Sequence, residues 1–441
     1  MHVGLTLTLF IFLVTTMGCG ATTAQRKTTL PAKAQGLQKV RKIELEPIRL
    51  EASAVEGGEP KIEVLDAHSL FEEGGRLLTQ KKYVEALRFY DKLLAKFPQS
   101  KLVVVSLYNG GLANEAVHNY ARAALYYEKL IRAFPQGKDA IDAVFRLGAV
   151  YAELKRWPDS AQVFGLLAMR PEISVGDRLE ALARQGLAQF QQGDFAATKS
   201  TLRKALRFHR SVAASERLET DFFLAMIHYY LAALPHREYR EAPMTPGAKL
   251  ALQLDNKARL LISAQSAYIR TIKVKNGYWA AAAGFQIGSL YREFYHLLMT
   301  TLPNFDKAAR KNAKKAKISV ERAQADLKRV YLEEVHKKVK VLLQKAIRVY
   351  EKNLLMAQRV GVQSNWVTKT RMEIDELRHL LTASPADAVS ALPKKTGYPE
   401  DGTDSGKPEK PQDKKTDKAS DSVAPLTPPE PDVDAPGRIV L

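Results

Sequence analysis

An eighteen-residue segment that occurs twice constrains the fold more than any other feature of this sequence. The stretch YVEALRFYDKLLAKFPQS at 83–100 returns 37 residues later as YARAALYYEKLIRAFPQG at 120–137, with eight identical positions. A fixed period of this length is typical of arrays in which each repeat packs only against its neighbours. At 441 residues the chain has room for such an array or for two or three ordinary domains, and the repeat favours the array.

The same register extends beyond the two copies. A glycine precedes an aromatic residue by nine positions in four consecutive units, at Gly74/Tyr83, Gly111/Tyr120, Gly148/Trp157 and Gly186/Phe195. A small residue on one helix lets another helix approach closely, and proline after the second helix ends the unit. We therefore predict two antiparallel helices per unit, with a fifth unit that begins near Phe222 and carries Ala225 in the glycine position.

The first two units resemble tetratricopeptide repeats. The residues at that family's signature spacings are Leu70, Gly74, Leu77, Ala86, Tyr90 and Pro98 in the first unit and Leu107, Gly111, Ala123, Tyr127 and Pro135 in the second. The period of 37 exceeds the family's usual period of about 34, and Ser160 and Thr198 replace the crossing alanine in later units. The resemblance implies an all-α, TPR-like α-solenoid of antiparallel helix pairs, with the array at 66–245.

Residues 246–382 keep a helical pattern of a more degenerate kind. The segment 264–298 predicts a helix, a short Lys-Asn-Gly turn and a second helix in which Gly284 and Gly288 allow close packing. Residues 306–352 predict a long basic helix or hairpin, with 15 Lys or Arg against six Asp or Glu. The final helix pair is expected to cap the last apolar face, as the ends of solenoids require.

The N-terminus predicts export and lipidation. Residues 1–18 are almost entirely apolar or small, too short for a comfortable membrane span but typical of a secretory signal peptide. Thr16 to Cys19 resembles the lipobox of bacterial lipoproteins, which implies acylation of Cys19, for example with palmitate, and an outer-membrane location facing the periplasm. The alternative is that this cysteine, the only one in the chain, follows the apolar run by accident.

Two further segments have the composition of unstructured chain. Residues 19–65 are polar and basic, contain the breaker EGGEP, and predict a flexible tether. Residues 383–441 hold ten of the 21 prolines together with many Lys and Asp, and they predict a disordered tail. We expect no β-strand in the helical stretch from about 66 to 382.

The sequence carries no recognisable catalytic or metal-binding motif. There is no phosphate-binding loop, no dinucleotide fingerprint, no zinc-ligand spacing and no nucleophile elbow. His228 and His296 lie in aromatic-rich helical segments, where a histidine is more often part of the core than of a site. We therefore predict a protein that is not an enzyme and has no cofactor and no metal site.

The positive net charge of the chain is compatible with several classes of binding partner. The chain has 67 Lys and Arg against 48 Asp and Glu, a net charge of +19. In a cytosolic protein this would make nucleic acid the first expected partner, whereas for an exported protein we expect no nucleic-acid partner. The basic region 306–352 is either a solvated helix face or a surface for an anionic partner, such as an acidic protein or an anionic envelope polymer.

An aromatic position recurs on the first helix of three units, at Phe71, Tyr108 and Phe145. First helices line the inner groove in tetratricopeptide proteins, so the resemblance implies that these rings contact a partner peptide or helix. The alternative is that the rings pack between neighbouring first helices.

These features together predict a scaffold that holds envelope proteins in its groove and is attached to the membrane by Cys19. The lipobox, the array, the closing unit NWVTKTRMEIDELR and the Pro-rich tail resemble the tetratricopeptide lipoproteins of the adventurous gliding-motility machinery. Two alternatives stay open. One is an assembly factor of the outer-membrane β-barrel insertion machine, and the other is a regulator of a peptidoglycan synthase or hydrolase.

Overall fold

A computed structural model describes residues 47–53, 61–136, 138–213, 221–247 and 249–390. The predicted signal peptide at 1–18, the lipidation site Cys19, the tether as far as residue 46 and the tail from residue 391 lie outside the described residues. Those expectations therefore stay predictions.

Helices form nearly all of the described chain. The first five pairs are α1 (Ala67–Thr79) with α2 (Tyr83–Lys96), α3 (Val103–Ala116) with α4 (Tyr120–Ala133), α5 (Lys138–Glu153) with α6 (Trp157–Leu167), α7 (Val175–Gln192) with α8 (Phe195–Val212), and α9 (Phe222–Glu241) with α10 (Leu250–Lys273). The remaining helices are α11 (Gly277–Thr300), α12 (Asp306–Ala316), α13 (Val320–Val360), α14 (Asn365–Thr382) and α15 (Pro385–Ser390).

The predicted starts of the second helices are confirmed at Tyr83, Tyr120, Trp157 and Phe195, and α9 begins at Phe222 as expected. The second helices α2, α4, α6 and α8 each follow a turn. One residue of each turn adopts a left-handed backbone conformation, at Lys81, His118, Lys155 and Gly193. This shared turn explains why the first and second helices reverse direction at the same point of each unit, even though only one of the four residues is glycine.

A glycine on each first helix meets a large side chain sixteen residues later on the second helix. Gly74 faces Tyr90, Gly111 faces Tyr127, Gly148 faces Phe164 and Gly186 faces Leu202. A Cβ atom at Gly111 would lie 2.5 Å from ring atoms of Tyr127, closer than carbon atoms can approach. The glycine register found in the sequence is therefore the contact that sets the spacing within each helix pair.

The crossing positions are buried in all four units. Ala86, Ala123 and Thr198 are 0% exposed and Ser160 is 1% exposed. The Ser160 hydroxyl donates to the Gly148 carbonyl oxygen at 2.8 Å, and the Thr198 hydroxyl donates to the Asp194 carbonyl oxygen at 2.8 Å. Each hydroxyl that replaces the crossing alanine thus finds a backbone acceptor, which lets a polar residue occupy a core position.

The C-terminal half repeats the same packing with different partners. The turn between α10 and α11 forms as predicted, with the Asn276 side chain capping α11. Gly284 and Gly288 of α11 face Asn353 and Tyr350, which lie on the C-terminal half of α13. Helix α12 and the N-terminal half of α13 lie between these partners in the sequence. They pack against each other and form an inserted helical hairpin. Helix α14 then packs on α13 and α11 and closes the described structure.

The described residues of 66–382 form no strand, as predicted, but two strands form within the segment 19–65 that was predicted to be a flexible tether. Strands β1 (Arg49–Ser53) and β2 (Lys61–Leu65) form an antiparallel hairpin in which Arg49 pairs with Leu65. Leu65 is buried in the core of the first repeat, and Glu63 forms an ion pair with Lys92 of α2 at 2.8 Å. This part of the segment 19–65 is therefore a folded extension of the first repeat.

The predicted start of the disordered tail at residue 383 is also wrong, because α15 extends the helical structure to Ser390. Ala388 of this helix is fully buried in the cluster formed by α11, α13 and α14. Burial of this small apolar residue accounts for the ordered turn that follows α14.

Candidate functional site

Three pairs of first helices from neighbouring units are in contact. Helix α3 contacts α1 and α5, and α7 contacts α9. We call the helices α1, α3, α5, α7 and α9 the first-helix layer. Helix α3 also packs against α2 and α4, and this enclosure explains why its sequence, VVVSLYNGGLANEA, lacks a charged face.

Each of the three aromatic residues of the predicted groove packs against an aromatic ring on the second helix of its own repeat. Phe71 lies 6.3 Å from Tyr90, Tyr108 lies 6.0 Å from Tyr127 and Phe145 lies 6.3 Å from Phe164, measured between ring centroids. Phe71 is only 6% exposed, so its burial favours a role in packing. Tyr108 and Phe145 are half-buried and retain accessible surface, so partner contact stays a prediction for them.

A polar cluster adjoins Tyr108 and joins three helices. The Tyr127 hydroxyl donates to Oε1 of Glu115, and Nη1 of Arg146 lies 3.6 Å from Oε2 of the same carboxylate. Burial, reinforced by the Glu115 carboxylate, holds the pKa of Tyr127 well above its usual value. Glu115 and Arg146 remain half-buried, which leaves a carboxylate and a guanidinium group at fixed positions beside the Tyr108 ring. Sequence analysis did not identify this cluster.

The β-hairpin exposes an apolar face that sequence analysis also missed. Ile48, Leu50, Ile62 and Val64 are between 61% and 71% exposed, and Leu50 pairs directly with Val64. Glu51 and Glu63, which alternate with them, form ion pairs with Lys96 and Lys92 of α2. The alternation of apolar and charged residues in both strands is the signal that could have revealed the hairpin.

The basic region forms a hairpin, one of the two conformations predicted for it. Helix α12 and the N-terminal part of α13 enclose only a small core of Ala309, Ala313 and Ala323. Exposed basic residues of α12 surround that core, at Lys307, Arg310, Lys311, Lys314 and Lys315. An anionic partner for this surface stays a prediction.

A buried ionic network connects α9, α10 and α11. Glu293 is 7% exposed and accepts hydrogen bonds from Nε and Nη2 of Arg240, at 3.1 and 2.8 Å, and from the Ser289 hydroxyl at 3.0 Å. Nε2 of His236 lies 3.3 Å from the carboxylate, and Nδ1 lies 3.2 Å from the Tyr268 hydroxyl. Burial alone would raise the pKa of Glu293, but His236 and Arg240 outweigh it and hold the pKa far below its usual value.

A second ion pair, between buried Arg292 and half-buried Glu373, joins α11 to α14. Nη1 of Arg292 lies 2.8 Å from Oε2 of Glu373. Here burial outweighs the attraction of Arg292 and raises the pKa of Glu373 to about 7. The two carboxylates therefore differ because Arg240, His236 and Ser289 all contact the Glu293 carboxylate, whereas Arg292 is the cationic partner of Glu373.

The described residues offer neither a metal centre nor a membrane span. They contain no group of three or more His, Cys, Asp or Glu side chains arranged to hold a metal ion. Among the helices described, none has the length and apolar character needed to cross a bilayer. His296 is buried as expected, but His228 is half-buried at the wall of a cleft, which sequence analysis did not anticipate.

No family model and no curated protein matches the chain, whereas solved structures of helical repeat proteins do. MamA from Desulfovibrio magneticus RS-1 aligns at 17% identity over 47% of this chain and 94% of its own, with a TM-score of 0.33. A tetratricopeptide repeat protein from Parabacteroides merdae aligns at 12% identity over 71% and 98%, with a TM-score of 0.32. The TPR2AB domain of yeast Sti1 aligns at 16% identity over 72% and 98%, with a TM-score of 0.19.

These TM-scores are too low to define the fold of this chain. The architecture follows instead from contacts that recur within the chain itself. Four helix pairs share the glycine contact, the buried crossing residue and the second-helix start. The fold is an all-α, tetratricopeptide-like solenoid. Such a solenoid presents a row of equivalent helices, and in this chain that row is the first-helix layer.

Proposed function

We propose that this protein is a non-enzymatic scaffold that holds protein partners on its first-helix layer. The observation that carries the proposal is that equivalent positions on the contacting helices α3 and α5 hold half-buried aromatic rings, Tyr108 and Phe145. A row of equivalent positions suits an extended peptide or a partner helix, because such ligands also place side chains at regular intervals.

Tyr108 and Phe145 provide the apolar part of this surface. Aromatic side chains commonly contribute most of the binding energy at protein interfaces, and these two rings are held in place by Tyr127 and Phe164 behind them. Glu115 and Arg146 lie beside them and provide a hydrogen-bond acceptor and a donor for a partner backbone or side chain.

We further propose that the scaffold acts in the cell envelope, attached by lipidated Cys19 to the periplasmic side of the outer membrane. The apolar segment 1–18 and the lipobox-like residues that end at Cys19 support this location. Gliding motility is the process we favour, on the family resemblance of the whole chain. The barrel-assembly factor and the regulator of a peptidoglycan enzyme remain the two alternatives.

Cross-linking in intact cells tests the envelope role. The affinity-tagged protein would be cross-linked, extracted from the envelope in detergent and purified, and the proteins that accompany it would be identified by mass spectrometry. Recovery of motility-complex proteins is the expected result. Recovery of the barrel-insertion core or of a peptidoglycan enzyme would overturn the motility assignment in favour of the corresponding alternative.

A further inference from the structure

A basic cleft of about 710 Å³ opens between α8, α9 and α10. Helix α8 lines it with Lys199, Arg203, Arg207 and Arg210, and α10 contributes Arg270. Apolar residues of α9 form part of the opposite wall, at Leu224, Leu231 and Leu234. The volume lies within the range of about 300–1,000 Å³ that is typical of ligand pockets.

The cleft exists because α8 packs closely on α7 but touches α9 less extensively than consecutive helices elsewhere in the array touch one another. The side of α8 that faces α7 is formed by the buried residues Thr198, Leu202 and Ala205. The four basic residues lie on a different side and are exposed. They are therefore not needed for the packing of the repeat.

Positive charge accumulates in the cleft with little compensation. Glu238 is the one carboxylate among the lining residues, against five Lys and Arg side chains. Within the described residues, none of these five side chains forms an ion pair. Burial lowers the pKa of His228 in the wall, and the positive charge of Arg270 lowers it further. A ligand with negative charge would relieve this repulsion.

We propose that this cleft binds an acidic amphipathic segment of another protein. The four basic residues of α8 recur at intervals of three or four positions, so they form one stripe about 16 Å long on the helix surface. A single phosphate group could engage only part of that stripe. The leucine side chains opposite it suit a ligand that carries apolar side chains on one face and carboxylates on the other.

Arginine accounts for most of the charge, at positions 203, 207, 210 and 270. Its planar guanidinium group can donate two parallel hydrogen bonds to one carboxylate, which fixes the orientation of the bound segment. The cleft is lined mainly by the second helices α8 and α10. Helix α9 of the first-helix layer forms its opposite wall, but the lining includes none of the residues proposed to bind partners on α3 and α5. A failure of this proposal would therefore leave the proposed function untouched.

Fluorescence anisotropy on the full-length protein tests the assignment. The probe is a fluorescein-labelled peptide with Glu and Leu on opposite helical faces, and the matched probe has Gln in place of every Glu. The double variant Arg203→Glu/Arg207→Glu reverses two charges in the cleft. The control Lys129→Glu/Arg132→Glu makes the same change in net charge on exposed residues of α4, which lies outside both the cleft and the basic region 306–352.

We expect the acidic peptide to bind the wild-type protein, and the cleft variant to weaken that binding by about tenfold or more, since two charged contacts become repulsive. The control variant should change the affinity by less than about twofold, because charges beyond a Debye length are screened. Circular dichroism would show that both variants keep wild-type helicity.

Three results would overturn the proposal. The first is equal binding of the Gln peptide, and the second is an equal loss of affinity in the cleft and control variants. The third is failure of the acidic peptide to bind while inorganic pyrophosphate binds in a manner that Arg203→Glu/Arg207→Glu abolishes, which would assign the cleft to phosphate ligands.

Discussion

Replacing Glu293 with alanine is expected to lower the free energy of unfolding by about 3–5 kcal/mol, the usual cost of removing one partner from a buried ion pair. The carboxylate is buried and accepts three hydrogen bonds, two from Arg240 and one from Ser289. Without it, Arg240 loses its carboxylate, and His236 loses an acceptor in a site that water cannot easily reach. Urea unfolding followed by circular dichroism would measure the loss.

Glu241→Ala is the matched control for this substitution. Glu241 lies on the same helix as Arg240 and forms an ion pair with Arg237, but both side chains of that pair are substantially exposed. An exposed pair contributes only about 0–1 kcal/mol, so the control should leave unfolding nearly unchanged. Equal effects of the two substitutions would contradict the role of the Glu293 network in joining α9, α10 and α11.

The same network predicts the direction of a pH effect. The pKa of Glu293 is lowered in the folded protein relative to the ordinary value of 4.5, so its ionised form favours folding. This contribution is complete above about pH 4.5 and is lost as the pH falls further towards the folded-state pKa. Glu293→Gln should therefore show a shallower loss of stability than the wild-type protein in acid.

Replacing Gly111 with alanine is expected to lower the free energy of unfolding by about 1–3 kcal/mol, the range for overpacking a core contact. The new Cβ atom would lie 2.5 Å from ring atoms of Tyr127. That ring is fully buried, and its hydroxyl is bonded to Glu115, so it has little freedom to move aside. The helices α3 and α4 would have to separate, and thermal or urea unfolding would detect the change.

Gly176→Ala serves as the comparison. Gly176 lies in the first turn of α7, and a Cβ atom there would meet nothing closer than the Ser174 hydroxyl oxygen at 3.7 Å. Alanine also has the higher helix propensity, so this variant should be as stable as the wild-type protein or more stable by up to about 1 kcal/mol. If Gly111→Ala behaved like Gly176→Ala, the glycine register would not set the spacing within the repeats.

Local periodic features were predictable from the sequence. The starts of the second helices at Tyr83, Tyr120, Trp157 and Phe195 were predictable, because each of these aromatic residues follows a glycine by nine positions. Helix starts and glycine contacts depend on residues nine or sixteen positions apart, and the 37-residue period repeats that information in each unit.

Features that depend on distant residues were not predictable. The Glu293 network brings together residues 53 and 57 positions apart on different helices, and no local pattern marks them. The basic stripe of α8 is visible in the sequence, but the cleft also requires Arg270 of α10 and the leucines of α9. The 37-residue register of Phe71, Tyr108 and Phe145 was predictable, but their packing partners on the second helix of the same repeat were not.

The hairpin was missed for a different reason. The alternation of Ile48 and Leu50 with charged residues is short. The glycine and proline residues of EGGEP at 56–60 are typical of a linker between polar segments. What stabilises the strands is contact with α2 through Glu51, Glu63 and the buried Leu65. An isolated two-stranded hairpin is marginal, so strand formation here depends on tertiary packing.

Site-specific photo-cross-linking most directly tests the central claim that protein partners bind the first-helix layer. A photoreactive amino acid would replace exposed Asp142 of α5, on the same face as Phe145 and Arg146, or exposed Lys129 of the second helix α4. The account predicts that Asp142 yields discrete adducts with the same partner protein in repeated experiments and that Lys129 does not. Adducts from Lys129 alone, or equal adducts from both positions, would contradict it.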